Sequence, residues 1–162
     1  MAPSLIMSTQ QIEQIANALE DLQSKTRANY AFLVDVSGQL IQARGRTGST
    51  DMGALAALIA GNIAATREIA RRISEPTMFR VLLHEGAEQS VYVSHVGDRF
   101  MLVVVFAANI QIGLVRLLGK RAADELTTLT SKYESATGDV PSVLESELGA
   151  FLDHELDRWL PN

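Results

Sequence analysis

Residues 51–73 read DMGALAALIAGNIAATREIARRI, and between Asp51 and Arg67 no residue is charged. Only Asn62 and Thr66 put polar side chains into that run. At ~100° per residue, Met52, Leu55, Leu58, Ile59, Ile63, Ile69 and Ile73 fall on one bulky arc, wide enough to cover one face of a sheet. The remaining arc carries Gly53, Ala54, Ala56, Ala57, Ala60, Gly61, Ala64 and Ala65. A helix that is apolar all round must be buried all round. The bulky arc is therefore expected on the protein's own sheet. The small-residue arc is expected against a second molecule, a two-fold copy of the same helix being the simplest candidate, with cover by this chain's own first or last helix, or an ordinary exposed alanine face, as the alternatives.

The segments on either side tell what that sheet is. Upstream, Ser8 or Thr9 caps a helical stripe of Ile12, Ile15, Ala16, Leu19 and Leu22. Two β-rich runs follow, Tyr30–Val36 and Leu40–Ala43, joined as a hairpin at Ser37-Gly38. Downstream of the Ser74-Glu75-Pro76 stop come MFRVLLHEG, SVYVSHVG and FMLVVVFAA, broken at Gly86-Ala87-Glu88 and Gly97-Asp98. IGLVRLLGKRAADELTTLTSKY reads as a further helix, with Leu114, Leu118, Ala122, Leu126 and Leu129 on one side. The order is α-β-β-α-β-β-β-α, and the tight turns within each strand group make the pairings antiparallel. The expectation is an α+β domain over residues 8–134 with a five-stranded antiparallel sheet and helices packed on it. A linker at 135–142 and an acidic amphipathic helical tail at 143–160, carrying Trp159, complete the expected organisation.

Composition narrows the chemistry. A chain of 162 residues with 47% hydrophobic content can build a full core. Its formal charge of −5 argues against nucleic acid as a partner, because phosphate contacts need clustered Lys and Arg. The absence of cysteine excludes disulfides and thiolate chemistry. No run reaches the ~18–20 apolar residues that span a bilayer, and MAPSLIMSTQ lacks the features of a signal peptide, so a cytoplasmic protein without membrane insertion is expected.

Self-contained catalysis finds little support. No GxxxxGK[ST], GxGxxG or GxSxG motif is present, and ARGRTGST lacks the lysine of a phosphate loop. His84 and His95 fall on neighbouring expected strands and could meet across the sheet, but two histidines without a third ligand make a poor zinc site. His154 lies among acids on the expected tail helix, a solvated face. No metal, no cofactor and no catalytic residue is expected.

The element order, with LVDVSGQLIQARG before the central helix and LAALIAGNIAAT within it, resembles the Roadblock (dynein light chain) family, and within it the bacterial MglB branch. FRVLLHEGAEQSVYVSHVGDRFMLVVVF and IGLVRLLGKRAADEL agree, so the resemblance covers about residues 9–133. It implies a homodimer whose sheets join edge to edge, with the central helices side by side as a platform for a GTP-bound, Ras-like GTPase of the MglA type. It further implies an enzyme regulator that accelerates GTP hydrolysis by favouring the GTPase's own competent conformation, in cell polarity or motility control. A Roadblock scaffold that tethers its partner without changing a rate is the alternative.

Carried onto this chain, the platform comprises Ala54, Ala57, Gly61, Ala64, Ala65 and Glu68, with Arg67 and Arg71 at its end. Glu68 departs from a flat neutral surface and is expected either to meet a basic group on the GTPase or to lie outside the contact. Arg67, Arg71 and Arg72, or Arg44 and Arg46 in the loop, raise the arginine-finger alternative. Arginines at a helix C-terminus are already favoured by the helix dipole.

Overall fold

The computed structural model describes residues 7–134. The expected linker at 135–142 and tail helix at 143–160, with His154 and Trp159, lie outside the described residues. Helix α1, Thr9–Thr26, starts on a reciprocal cap. The Gln11 backbone N–H donates to Ser8 Oγ at 3.2 Å, and the Ser8 N–H donates to Gln11 Oε1 at 3.0 Å. Its stripe of Ile15, Ala16, Ala18, Leu19 and Leu22 is buried, while Ile12 stays near the surface.

Strand β1, Tyr30–Asp35, and β2, Leu40–Gly45, form the first hairpin; the second strand runs two residues beyond the Ala43 limit expected for it. Helix α2, Met52–Arg72, is capped by Asp51, whose carboxylate accepts the Ala54 N–H at 3.0 Å. Strands β3, Val81–Glu85, β4, Gln89–Val96, and β5, Phe100–Ala107, form a meander, and α3, Ile112–Glu134, follows.

The five strands lie in the order β2-β1-β5-β4-β3, all neighbours antiparallel. Strands β1 and β5 sit at the centre, buried along nearly their whole length. A strand covered on both faces needs apolar side chains at nearly every position, which is why AFLV and MLVVVF read as runs rather than alternations. Each fully buried Phe, Leu or Val there is worth about 1.5–3 kcal/mol in transfer free energy.

Helix α2 covers one face, packing Ala56, Ile59 and Ile63 on Phe32, Val34, Val93, Met101 and Val103. On the opposite face, α3 approaches so closely that a Cβ on Gly119 would stand 2.8 Å from the Tyr92 ring. Helices α1 and α3 lie side by side, with Ala18 and Leu22 facing Leu118 and Ala122 across a shallow groove.

Candidate functional site

Among the described residues, the outward face of α2 combines exposed small residues with exposed large apolar side chains. The buried residues of the helix are Ala56, Ile59, Ile63 and Ala70, with Met52, Leu55 and Ala60 packed beside them. Opposite that stripe, Ala54, Ala57, Gly61, Ala64 and Ala65 are all exposed. Arg71 is exposed as well, and Arg67 and Glu68 are half-buried.

The bulky arc expected to lie on the sheet is corrected in part. Leu58, Ile69 and Ile73 stand 71%, 54% and 62% exposed. The physical reason lies in which side chain sits at closest approach. Ala56, fully buried, lets the helix backbone come down near the sheet, so the contact stripe centres on Ala56, Ile63 and Ala70. That rotation leaves Leu58 and Ile69 beyond the edge of the stripe. The outward face is consequently two surfaces: a small-residue side around Ala57, Gly61 and Ala64, and a bulky apolar flank around Leu58 and Ile69.

One side of the platform is bordered by the first hairpin turn. Asp35 holds that turn, its Oδ1 accepting the Ser37 N–H at 3.0 Å, the Ser37 hydroxyl at 2.6 Å and the Gln39 N–H at 2.9 Å. Gly38, at φ +90°, lies against Ala57. The Val36 N–H donates to the Arg99 carbonyl at 2.9 Å, tying this turn to the β4–β5 turn.

At the C-terminal end of α2, Glu68 is clasped by its own helix. Arg72 Nε donates to Glu68 Oε1 at 2.8 Å and Arg71 donates to Oε2. The hydrogen bond from Arg72, aided by the charge and hydrogen bond of Arg71, holds the Glu68 carboxyl below the usual range against the opposing effect of desolvation. Arg67 faces His95 on β4. Burial, and then the nearby Arg67 charge, push the His95 imidazole below its ordinary pKa, with Asp98 opposing. His95 Nδ1 is buried and accepts or donates no hydrogen bond among the described residues.

The two strand histidines do not meet. The register sets His84 opposite Val91 and His95 opposite Met101. Val91 and His95 are four steps apart along β4, about 13 Å. No group of three or more metal-ligating side chains occurs among the described residues. Arg44 lies along its own strand, its Nη1 donating to Gln42 Oε1 at 3.0 Å and to the Ala43 carbonyl at 2.8 Å. Arg46 lines an open polar cleft of about 340 Å³ with Asn29, Thr47, Ser49, Thr50 and Gln89, a set holding no acid, histidine or lysine. Among the described residues, no helix is long and apolar enough to cross a membrane.

The family model that matches is the Roadblock/LC7 domain, over residues 14–106. Among solved structures, MglB from Myxococcus xanthus is similar at 42% identity and a TM-score of 0.71, covering 74% of this chain and 96% of that one. The gliding protein MglB from Thermus thermophilus is similar at 31% identity and a TM-score of 0.75, covering 82% and 99%. A structure described as MglB with a tetrameric arrangement is similar at 31% identity and a TM-score of 0.76, with the same coverage. A search of the curated proteins found no match. With the order of elements, the strand order and these likenesses in agreement, the chain belongs to the Roadblock/LC7 family, in the branch that contains the MglB proteins.

Proposed function

We propose that residues 8–134 work as a cytoplasmic homodimer that binds a small Ras-like GTPase of the MglA type and accelerates its GTP hydrolysis, in cell polarity or motility control. The observation that carries this reading is the outward face of α2, where Ala54, Ala57, Gly61, Ala64 and Ala65 are exposed together on a long, capped, well-anchored helix. Small side chains let another backbone approach closely, and a bulky flank beside them suits a second helix. The MglB likeness supplies the partner class. The arginines at the site support a conformational rather than an inserted-residue mechanism. Arg71 and Arg72 are engaged by Glu68, and Arg44 lies along its strand. Hydrolysis then rests on the GTPase's own groups, held in their competent arrangement by the platform.

Ala64→Arg tests the reading. The residue is exposed in mid-helix, so arginine is tolerated by the fold, but a complex over this face would bury an unpaired charge. The expected result is unchanged helicity and a loss of GTPase binding of at least ~100-fold, with stimulated single-turnover hydrolysis lost in parallel. Undiminished stimulation by Ala64→Arg would overturn the platform assignment. Normal binding with no stimulation by the unaltered chain would leave a tethering scaffold.

A further inference from the structure

We propose that Gln42 and Arg44 fold over the outer edge of β2 and close it to strand addition, so that a second copy of the chain cannot extend the sheet there. The inference stands apart from the GTPase reading and rests on the backbone of one edge strand.

Strand β2 is an end strand of the sheet, with β1 on one side and no strand on the other among the described residues. Such an edge offers unpaired N–H and C=O groups to any extended chain. The ladder fixes which groups those are. The Arg46 N–H donates to the Asn29 carbonyl at 2.7 Å, just past the Tyr30↔Gly45 pair. Bonded and unbonded pairs alternate in an antiparallel ladder, so Arg44 and Gln42 bond inward to β1. Ala43, opposite Phe32, therefore points both of its backbone groups outward.

Both outward groups of Ala43 are already taken. Its N–H donates to Gln42 Oε1 at 3.1 Å, and its carbonyl accepts from Arg44 Nη1 at 2.8 Å. Arg44 Nη1 also donates to Gln42 Oε1 at 3.0 Å, which joins the two side chains over the edge. Gln42 and Arg44 are two residues apart and so rise from one face of the strand, both half-buried. An arriving strand would have to break all three bonds, two of them charge-assisted. It would then cover a guanidinium that has lost its partners.

On either side of Ala43 the edge is bent. The register steps from Leu33↔Gln42 to Val34↔Leu40, leaving Ile41 as an extra residue. Gly45 takes φ +109°, and a Cβ there would stand 2.5 Å from the Asn29 carbonyl oxygen, so glycine alone suits this position. The other end strand, β3, has neither device. Its register with β4 is unbroken from Val81 to Glu85, and it contains no positive φ. Two usable edges let copies add without end, whereas a sheet with one usable edge cannot grow past a pair.

Gln42→Val/Arg44→Val removes the clasp and keeps strand propensity. In sedimentation at raised concentration this variant is expected to show a mass at least ~2-fold above that of the unaltered chain under the same conditions. Gln42→Glu keeps the acceptor for both donors and should leave the mass unchanged. Adding Ala43→Pro to the double variant removes the outward N–H without touching the β1 ladder, and should return the mass to that of the unaltered chain. Hydrogen exchange of the Ala43 amide in the unaltered chain decides the matter should the double variant not fold. That amide is expected to exchange roughly 3–10-fold more slowly than an open chain allows. Exchange at the open-chain rate, an unchanged mass for the folded double variant, or an enlarged mass that survives Ala43→Pro would each overturn the proposal.

Discussion

Gly38 illustrates how much one position can carry. Its φ of +90° strains any L side chain, and a Cβ there would stand 3.0 Å from the Ala57 Cα, so backbone, not a yielding side chain, is in the way. Gly38→Ala is expected to cost about 1–3 kcal/mol, measured by urea unfolding, and to push the turn away from the platform. His95 gives a prediction with a sign. Its imidazole is held below its ordinary pKa in the folded protein, so the unfolded chain binds more protons as the pH drops. The stability it contributes is complete above the unfolded value of ~6.5 and is lost as pH falls through that value toward the lower folded one. Urea midpoints taken between about pH 8 and about pH 5.5 should therefore fall, and His95→Gln should flatten that part of the slope. The turn chemistry of Ser37-Gly38 and Gly97-Asp98 was legible because it is local. The separation of His84 from His95 was not, because register is set by neighbours distant in the chain.

At the scale of elements, two glycines in helices make a controlled comparison. Gly61 in α2 has open space where a Cβ would go, so Gly61→Ala should stabilise by roughly 0.5–1 kcal/mol through helix propensity alone. Gly119 in α3 faces the buried Tyr92 ring at 2.8 Å, and there the same change should destabilise. Overpacking costs about 1–3 kcal/mol, which outweighs the gain of about 1 kcal/mol in propensity. Paired thermal melts of the two variants, moving in opposite directions, would verify both contacts. A stabilised Gly61→Ala that binds the GTPase less well would show that the glycine is kept for its surface. Helices and strands were legible from periodicity, and the face each helix turns inward was legible only approximately. Periodicity reports where bulky residues cluster, while the true contact line of α2 runs through Ala56 and Ala70 and strands Leu58 and Ile69 outside. Those two side chains lie beyond the contact line because small residues hold the helix close to the sheet.

At the scale of the whole molecule, the platform reading makes a claim about where catalytic power resides. An arginine inserted in trans is worth ~10³–10⁵ in rate. If the GTPase supplies its own groups, then Arg44→Ala, Arg46→Ala, Arg67→Ala and Arg71→Ala should each lower single-turnover hydrolysis by well under ~100-fold. One variant losing more would identify an inserted finger. The strand order has a further consequence, in time rather than in space. Tyr30 pairs with Val105, so the first hairpin finds its inner neighbour only with a strand made about 75 residues later. At ribosomal rates of ~5–20 residues per second, β1 waits roughly 4–15 s with a largely apolar strand edge uncovered. Nascent chains stalled before Phe100 should therefore be the species that chaperones hold and proteases cut, and release of β5 should end both at once.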